Sequence, residues 1–383
     1  MCLYFYDSLL LISSILILAV FIQTASTNNG PGISSCTYSG TCHGKGNNGS
    51  SNSANDTNGA NGTNGTNGTN GTNGTNSDIP ESCTALIIDG FYVDVNYNIK
   101  YPNKENWEGI VKNSDKNIFL LYGHTSYVEW TQVLGCEACN DGTNSKDEMK
   151  ALGEFLKNYD GINGLILTNL EPSSDSKEFK NYTENLKQYI EVMKSNISDL
   201  SIGILISGKF LIDQYTNPPF PWLDFKKLNP TVDFYVISVE TLNDCSDEFI
   251  EGIAPMKANS TTKSNYTLMY LKSILPKTSI PKQNTYFKFK LSPTSSDASE
   301  TNVTTQQICE DSNSTSSWCV DSIKTFNEKG KFAKSVGAGF MVSNINDDDP
   351  GNECKCKSYP SFNAILDGFN GKSTNKCASL NRT

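Results

Sequence analysis

Two periodicities alternate along this chain. Apolar, β-branched runs occur at 84–91 (TALIIDGF), 117–123 (NIFLLYG), 161–170 (GINGLILTNL), 200–208 (LSIGILISG), 232–240 (VDFYVISVE), 285–292 (TYFKFKLS) and 338–345 (AGFMVSNI). Nearly continuous apolar character over strand-length segments marks strands covered on both faces, as in a parallel sheet flanked by helices. Helical patterns separate most of them. Over 174–195, Phe179, Tyr182, Leu186, Ile190 and Met193 share one face, with Ser173 or Ser174 placed to cap the start. Near 320–336, Ile323, Phe326, Phe332, Ala333 and Val336 point inward in the same way. A weaker strand at 33–38 completes a set of eight. Eight such units predict an α/β fold, a (β/α)8 TIM barrel over residues 79–376, with any site at the C-terminal strand ends.

The N-terminus reads differently. Residues 8–22, SLLLISSILILAVFI, are almost wholly apolar, and Thr24-Ala25-Ser26 supplies the small residues of a cleavage site, so residues 1–26 are expected to be a signal peptide. The segment MCLYFYD carries Asp7 and no basic residue, which leaves an uncleaved anchor as the alternative. The apolar run is short for a bilayer span, which needs about 20 residues, and no later segment is a candidate. The expected localisation is secreted and extracellular, with no membrane span after cleavage.

Residues 27–78 contain almost only Asn, Gly, Ser and Thr beyond position 44, a composition without the apolar content of a core. They are expected to form a disordered, glycan-coated segment, or a loop after the first strand if 33–38 belongs to the barrel. Fourteen N-x-S/T sequons occur, half of them between Asn48 and Asn73. The candidate acceptors are Asn61, Asn64, Asn67, Asn70, Asn73, Asn181, Asn196, Asn259, Asn265, Asn302 and Asn313. Asn181 lies away from the apolar face of its helix, so a glycan there would project into solvent.

Cysteine usage agrees with export. Of 12 cysteines, Cys2 falls in the signal, which leaves 11 and therefore one without an intramolecular partner. Cys136/Cys139 and Cys354/Cys356 have the spacing of thiolate metal ligands, but an oxidising compartment favours disulfides, and no metal site or cofactor is expected. The net charge of −10, or −9 once Asp7 is removed, argues against nucleic acid as a partner.

Several stretches, in order, resemble glycoside hydrolase family 18, the chitinases and chitinase-like proteins. Residues 79–88 (IPESCTALII) are similar to the family's second strand and 116–123 (KNIFLLYG) to its third. Residues 231–242 resemble the sixth strand, and Ala254-Pro255-Met256 the short motif after it. The stretch from Val320 to Leu366 parallels the last helix, the eighth strand and the C-terminal helix. The resemblance implies disulfides Cys36–Cys83 and Cys309–Cys354. It also implies that the small insertion before the eighth strand is reduced to a polar stretch around 293–317.

The same resemblance implies that the chemistry is lost. The family's fourth strand carries D-G-x-D-x-D-x-E-x-P, whose Glu is the general acid and whose Asp residues orient the substrate acetamido group. Here Asn163, Ile166, Thr168 and Leu170 stand at those four positions. Glu171 is one residue beyond, and in a regular strand a one-residue offset turns a side chain to the other face unless a bulge intervenes. Glu240-Thr241 replaces the Tyr-Asp pair of the sixth strand, and Ser343 replaces the Trp that ends the eighth.

Tyr127 and Trp130, after the third strand, and Phe220 and Trp222, after the fifth, either form a new aromatic ligand patch on the rim or pack inward; Glu240 is the remaining ligand candidate. His124 and His43 are the only histidines, so a Ser-His-Asp or Cys-His mechanism would require His124, and no G-x-S-x-G accompanies it. The expectation is therefore a secreted, catalytically inactive chitinase-like glycoprotein with a lectin-like or growth-factor-like role. Its partners would be chitin, chito-oligosaccharide or a protein receptor. One alternative is a divergent chitinase using Glu171; another is a mucin-like coat protein in which the NGT tract matters most.

Overall fold

A computed structural model describes residues 30–38, 79–94, 96–135, 143–173, 176, 178–216, 222–258, 264–297, 303–310, 318–374, 377 and 380. The signal segment, the NGT tract, Cys136 and Cys139, Phe220, and Asn259, Asn302 and Asn313 lie outside the described residues.

Eight parallel strands close into a barrel: β1 (Ser34–Tyr38), β2 (Ala85–Val93), β4 (Asn117–Gly123), β5 (Ile162–Thr168), β6 (Ser201–Ser207), β7 (Phe234–Ser238), β8 (Thr285–Lys290) and β11 (Gly339–Ser343). β1 pairs with both β11 and β2, which closes the ring and makes 34–38 a full barrel strand although its sequence, SSCTY, is polar. The barrel therefore starts before residue 79, and the NGT tract falls in sequence between β1 and β2. The Cys36–Cys83 disulfide ties the middle of β1 to the segment just before β2. β3 (Ile99–Lys100) folds back antiparallel on the end of β2, and β9 (Thr294–Ser295) pairs with β10 (Trp318–Cys319) in a separate ribbon.

Alternation sorts the strand residues into two cores. Inward positions Ala85, Ile87, Phe119, Leu121, Ile166, Phe234, Val236, Tyr286 and Met341 fill the barrel as one buried cluster. Outward positions such as Leu86, Leu120, Leu165, Ile204, Ile237, Phe287 and Val342 meet the helices in a larger cluster. In chain order these helices are α1 (Lys104–Asn113), α2 (Tyr127–Leu134), α3 (Thr143–Lys157), α4 (Tyr182–Asn196), α5 (Gly208–Thr216), α6 (Phe225–Leu228), α7 (Leu268–Thr278), α8 (Thr305–Glu310), α9 (Ile323–Val336) and α10 (Pro360–Phe369). No helix among the described residues is long and apolar enough to cross a membrane.

One helix boundary departs from the sequence expectation. α4 buries Tyr182, Leu186, Ile190 and Met193 as its periodicity requires, but it starts at Tyr182 and not near 174. Asn181 precedes it in a left-handed conformation with no side-chain cap bond, and Ser173 is tied instead into a local turn with Ser176. Phe179 stacks edge-on against Tyr182 from outside the helix. Asn181, Asn196 and Asn265 are all exposed.

The C-terminal region is fixed by close backbone approach and by carboxylates. Gly330 on α9 and Gly368 on α10 each face backbone of the other helix at a separation that leaves no room for a Cβ. Buried Asp348 accepts the Ser361 and Phe362 N–H groups at 3.1 and 2.7 Å, capping α10, and Asp349 accepts those of Glu353 and Cys354. Cys309–Cys354, Cys356–Cys377 and Cys245–Cys319 are disulfides. The thiolate-ligand spacing of Cys354 and Cys356 is thus used for two separate cross-links.

Candidate functional site at the barrel mouth

Two residues further along each strand, the inward positions change character. Above the apolar plug stand Gly123, Thr168, Ser207, Ser238, Lys288 and Ser343, with Lys290 and Glu240 higher still on the ends of β8 and β7. The C-terminal mouth therefore has a polar floor on an apolar base.

On the β7–β8–β11 side, the Lys288 Nζ lies 2.7 Å from Glu240 Oε2, which also accepts the Ser238 hydroxyl at 3.1 Å. Burial pushes the Glu240 carboxyl up, but the Lys288 charge and hydrogen bonds from Lys288, Ser343 and Ser238 outweigh it, leaving it below its ordinary value. Glu240 is thus a committed anion. Lys290 is half-buried beside it; burial lowers its pKa, while Glu240 and Asp347 oppose that shift.

On the β4–β5 side the expected acid position is absent from the mouth altogether. β5 ends at Thr168, and Asn169 takes a left-handed conformation (φ 59°), held by a bond from its Nδ2 to the His124 carbonyl at 2.9 Å. That reversal breaks the alternation. Leu170 turns into the outer core, fully buried, and its carbonyl accepts Tyr182 Oη at 3.1 Å and Trp222 Nε1 at 3.0 Å. Glu171 then comes to the rim, where its carboxylate accepts the Ser207 N–H. It is half-buried and makes no ion pair with a described residue. Burial raises its pKa to about 7 against the opposing Ser207 hydrogen bond, so near neutral pH it is part acid, part carboxylate.

Glu171 lines a pocket of about 280 Å3 with Thr125, Ser126, Tyr127, Val128, Asn169, Ser173 and Ser176. The wall at Thr125–Tyr127 is the start of α2, where Ser126 caps the Glu129 N–H and Glu129 accepts the Thr125 N–H in return. Hydroxyls, an amide and a carboxyl that both donates and accepts make this pocket chemically suited to a polyhydroxyl ligand.

Of the two readings of the rim aromatics, Trp130 and Trp222 follow the inward one. Trp130 is fully buried, its ring edge-on to His124 at 4.6 Å and its Nε1 donating to the Thr168 carbonyl at 2.8 Å. Gly123 leaves the space it crosses, since a Cβ there would meet the Thr168 carbonyl at 2.8 Å and Trp130 at 3.2 Å. Trp222 packs on Phe210 and Phe225 and satisfies the Leu170 carbonyl. Each indole supplies a donor that a buried strand-end carbonyl requires, and that need places the ring in the core. Of the five ligand candidates, Tyr127 lines the pocket, Glu240 stands in the mouth, Trp130 and Trp222 reach neither, and Phe220 lies outside the described residues.

Three features were not read from the sequence. Tyr92 follows the bulge at Gly90 (φ 94°); because Phe91 and Val93 both enter the outer core, Tyr92 stands on the mouth side, 41 % exposed and in register with Gly123. Lys288 and Lys290 alternate visibly with aromatic residues in TYFKFK, a pattern that puts both amines inside. Glu148 on α3 carried no signal: it is fully buried and accepts Tyr122 Oη at 2.7 Å and Tyr189 Oη at 2.6 Å. His124 Nε2 lies 3.4 Å from its other oxygen. Burial and the Glu148 charge hold both tyrosines well above their usual pKa. His124 is thus enclosed with a carboxylate and aromatic rings, and among the described residues no serine or cysteine side chain hydrogen-bonds to its Nε2. Among the described residues no group of three His, Cys, Asp or Glu side chains is placed to hold a metal ion.

Comparison by sequence matches no family model and no curated protein. Comparison by fold does find similar structures. Catalytic domain 2 of the Ostrinia furnacalis Group II chitinase superposes with a TM-score of 0.64 at 13% identity, covering 80% of this chain and 94% of that one. A Glu-to-Leu mutant of the same domain, in complex with an N-acetylglucosamine oligomer, gives the same score at 14% identity. Human YKL-39, described as a pseudo-chitinase with retained chitooligosaccharide binding properties, gives 0.56 at 17% identity, covering 77% of this chain and 94% of that one. The chain therefore has the chitinase-like barrel fold.

Proposed function

We propose that this protein is a secreted, non-hydrolytic chitinase-like glycoprotein that binds a carbohydrate at the C-terminal mouth of its barrel. The observation that carries the reading is the end of β5: the inward residues are Ile166 and Thr168, and Leu170 is in the outer core. A glycosidase of either ordinary kind needs two cooperating carboxyl groups, and the substrate-assisted kind needs an acid plus a group to orient the acetamide. The β5 sector offers one carboxyl, Glu171, and Glu240 is neutralised by Lys288. What remains is a hydrogen-bonding pocket lined in part by Tyr127, with Tyr92 exposed on the mouth side of β2. The bound oligosaccharide in the Glu-to-Leu mutant of a similar fold, and the binding described for human YKL-39, support the view that such a barrel can keep its ligand after losing its acid.

A second reading retains Glu171 as a general acid, because a pKa near 7 and a pocket position are what that role requires. The test is calorimetric titration of the secreted, glycosylated protein with chitotetraose, with released saccharide assayed on the same samples. Saturable binding without release supports the proposal. Release abolished by Glu171→Gln would replace it with the enzymatic reading, and absence of both would remove carbohydrate as the partner.

A further inference from the structure

Lys288 and Lys290 enter the mouth from the same strand, two residues apart and on the same face, yet their circumstances differ. Lys288 is held by Glu240 at 2.7 Å. Lys290 makes no ion pair and no side-chain hydrogen bond with a described residue, although it is only half exposed and Glu240 and Asp347 act on it through space. An ammonium partly removed from water without a direct partner is stabilised by any anion brought to it, more strongly than the same group at an open surface. Ser343 is the register partner of Lys290 in the pairing of β8 with β11. The Lys290 side chain stands on the inward face of β8, two residues beyond Lys288, at the C-terminal mouth of the barrel.

We infer that the mouth selects an acidic saccharide, one carrying a uronate-type carboxylate, through a charge-assisted contact between that carboxylate and the Lys290 ammonium. The inference rests on the carbohydrate-binding reading above and gives it a substrate class. The protein's overall negative charge does not oppose it, because the interaction is a local one in a recessed mouth and not attraction to an extended polyanion. Neutral hydroxyls of the same saccharide remain free to use the Glu171 pocket.

Two probes of equal length differ in charge, and the Lys290 variants assign the difference to the carboxylate contact: chitotetraose, which is neutral, and a hyaluronan tetrasaccharide, in which glucuronate alternates with N-acetylglucosamine. Titrated into the secreted, glycosylated protein at low ionic strength, the acidic tetrasaccharide should bind about ten-fold more tightly, the scale of one charge-assisted hydrogen bond. In Lys290→Gln the ratio of the two affinities should fall to about one, and in Lys290→Arg it should stay near the wild-type ratio, which separates charge from general disturbance of the site. Raising the salt concentration should compress the ratio. Equal affinities in the wild type, or a preference that survives Lys290→Gln, would overturn the inference while leaving carbohydrate binding intact. Equally strong competition by a short oligoglutamate would overturn the saccharide assignment. Failure of both tetrasaccharides to bind would contradict the underlying reading, and the inference with it.

Discussion

The two sides of the barrel mouth handle buried carboxyl groups in opposite ways. On the β7–β8 side, Glu240 stays ionised because Lys288 stands 2.7 Å away with hydroxyls around it. On the β5 side, Glu171 has one backbone N–H and no cation, and burial brings its pKa to about 7. One carboxyl is a fixed charge locked in a pair; the other is close to neutral and faces a pocket. Acid–base hydrolysis needs two carboxyl groups acting on one bond, and in this mouth one of the two is held in an ion pair with Lys288. Hydrogen bonding to a saccharide needs only the second kind.

The largest expected effect tests the paired side. Glu240→Gln leaves the Lys288 ammonium buried without its partner and should destabilise the protein by about 3–5 kcal/mol, whereas Glu240→Gln combined with Lys288→Met should recover much of the loss. Urea unfolding of the two variants measures both. A cost below about 1 kcal/mol for the single variant would mean that the pair is as weak as a surface bridge.

The unpaired side should show itself in pH dependence. Glu171 has a folded pKa raised from 4.5 to about 7, so its contribution to stability is fully present below 4.5 and is lost as the pH rises through 7. The shift corresponds to at most roughly 3 kcal/mol. Glu171→Gln should remove this loss, so that the difference in stability between wild type and variant grows in the variant's favour between pH 4.5 and 7. Asp348, also raised to about 7 by burial, titrates in the same window with the same sign, and taking the difference between the two proteins cancels it. A flat difference would show that Glu171 is solvated.

Smaller effects sharpen the division between core and mouth. Trp222→Phe keeps the ring but leaves the Leu170 carbonyl with one donor fewer, which should lower stability by about 1–2 kcal/mol without changing saccharide affinity. Tyr92→Ala should do the reverse, weakening chitotetraose binding roughly three- to ten-fold, as loss of one aromatic contact would, with an unchanged melting temperature. If Trp222→Phe altered affinity and Tyr92→Ala did not, the placement of the two rings relative to the ligand would be wrong.

The barrel was legible because its strands are buried on both faces and read as apolar runs with helices between them. Seven runs fall on seven strands, and even the polar SSCTY, a weak strand by its pattern, is held in place by two neighbours and a disulfide to Cys83. The mouth was less legible because its residues leave regular structure. A single left-handed residue, Asn169, sends Leu170 into the core and Glu171 to the rim, and no alternation rule survives it. Trp130 and Trp222 were readable as aromatic residues near strand ends, but their burial depends on carbonyls of another segment, Thr168 and Leu170, that need donors. The inward lysines of TYFKFK lay in plain alternation, masked by the apolar character of the strand around them. Glu148 carries no local signature, because its partners Tyr122, Tyr189 and His124 come from other elements.

Binding and the absence of cleavage stand or fall together in one experiment: hydrogen–deuterium exchange with and without saturating chitotetraose, with the saccharide's own mass spectrum recorded from the same sample. A saccharide held in this mouth and left uncleaved should slow exchange only in the strand-end segments 91–94, 123–128, 168–176, 238–240 and 288–291, with the tetrasaccharide recovered intact. Protection elsewhere on the barrel, or appearance of shorter saccharides, would contradict a non-hydrolytic binding site at the strand ends.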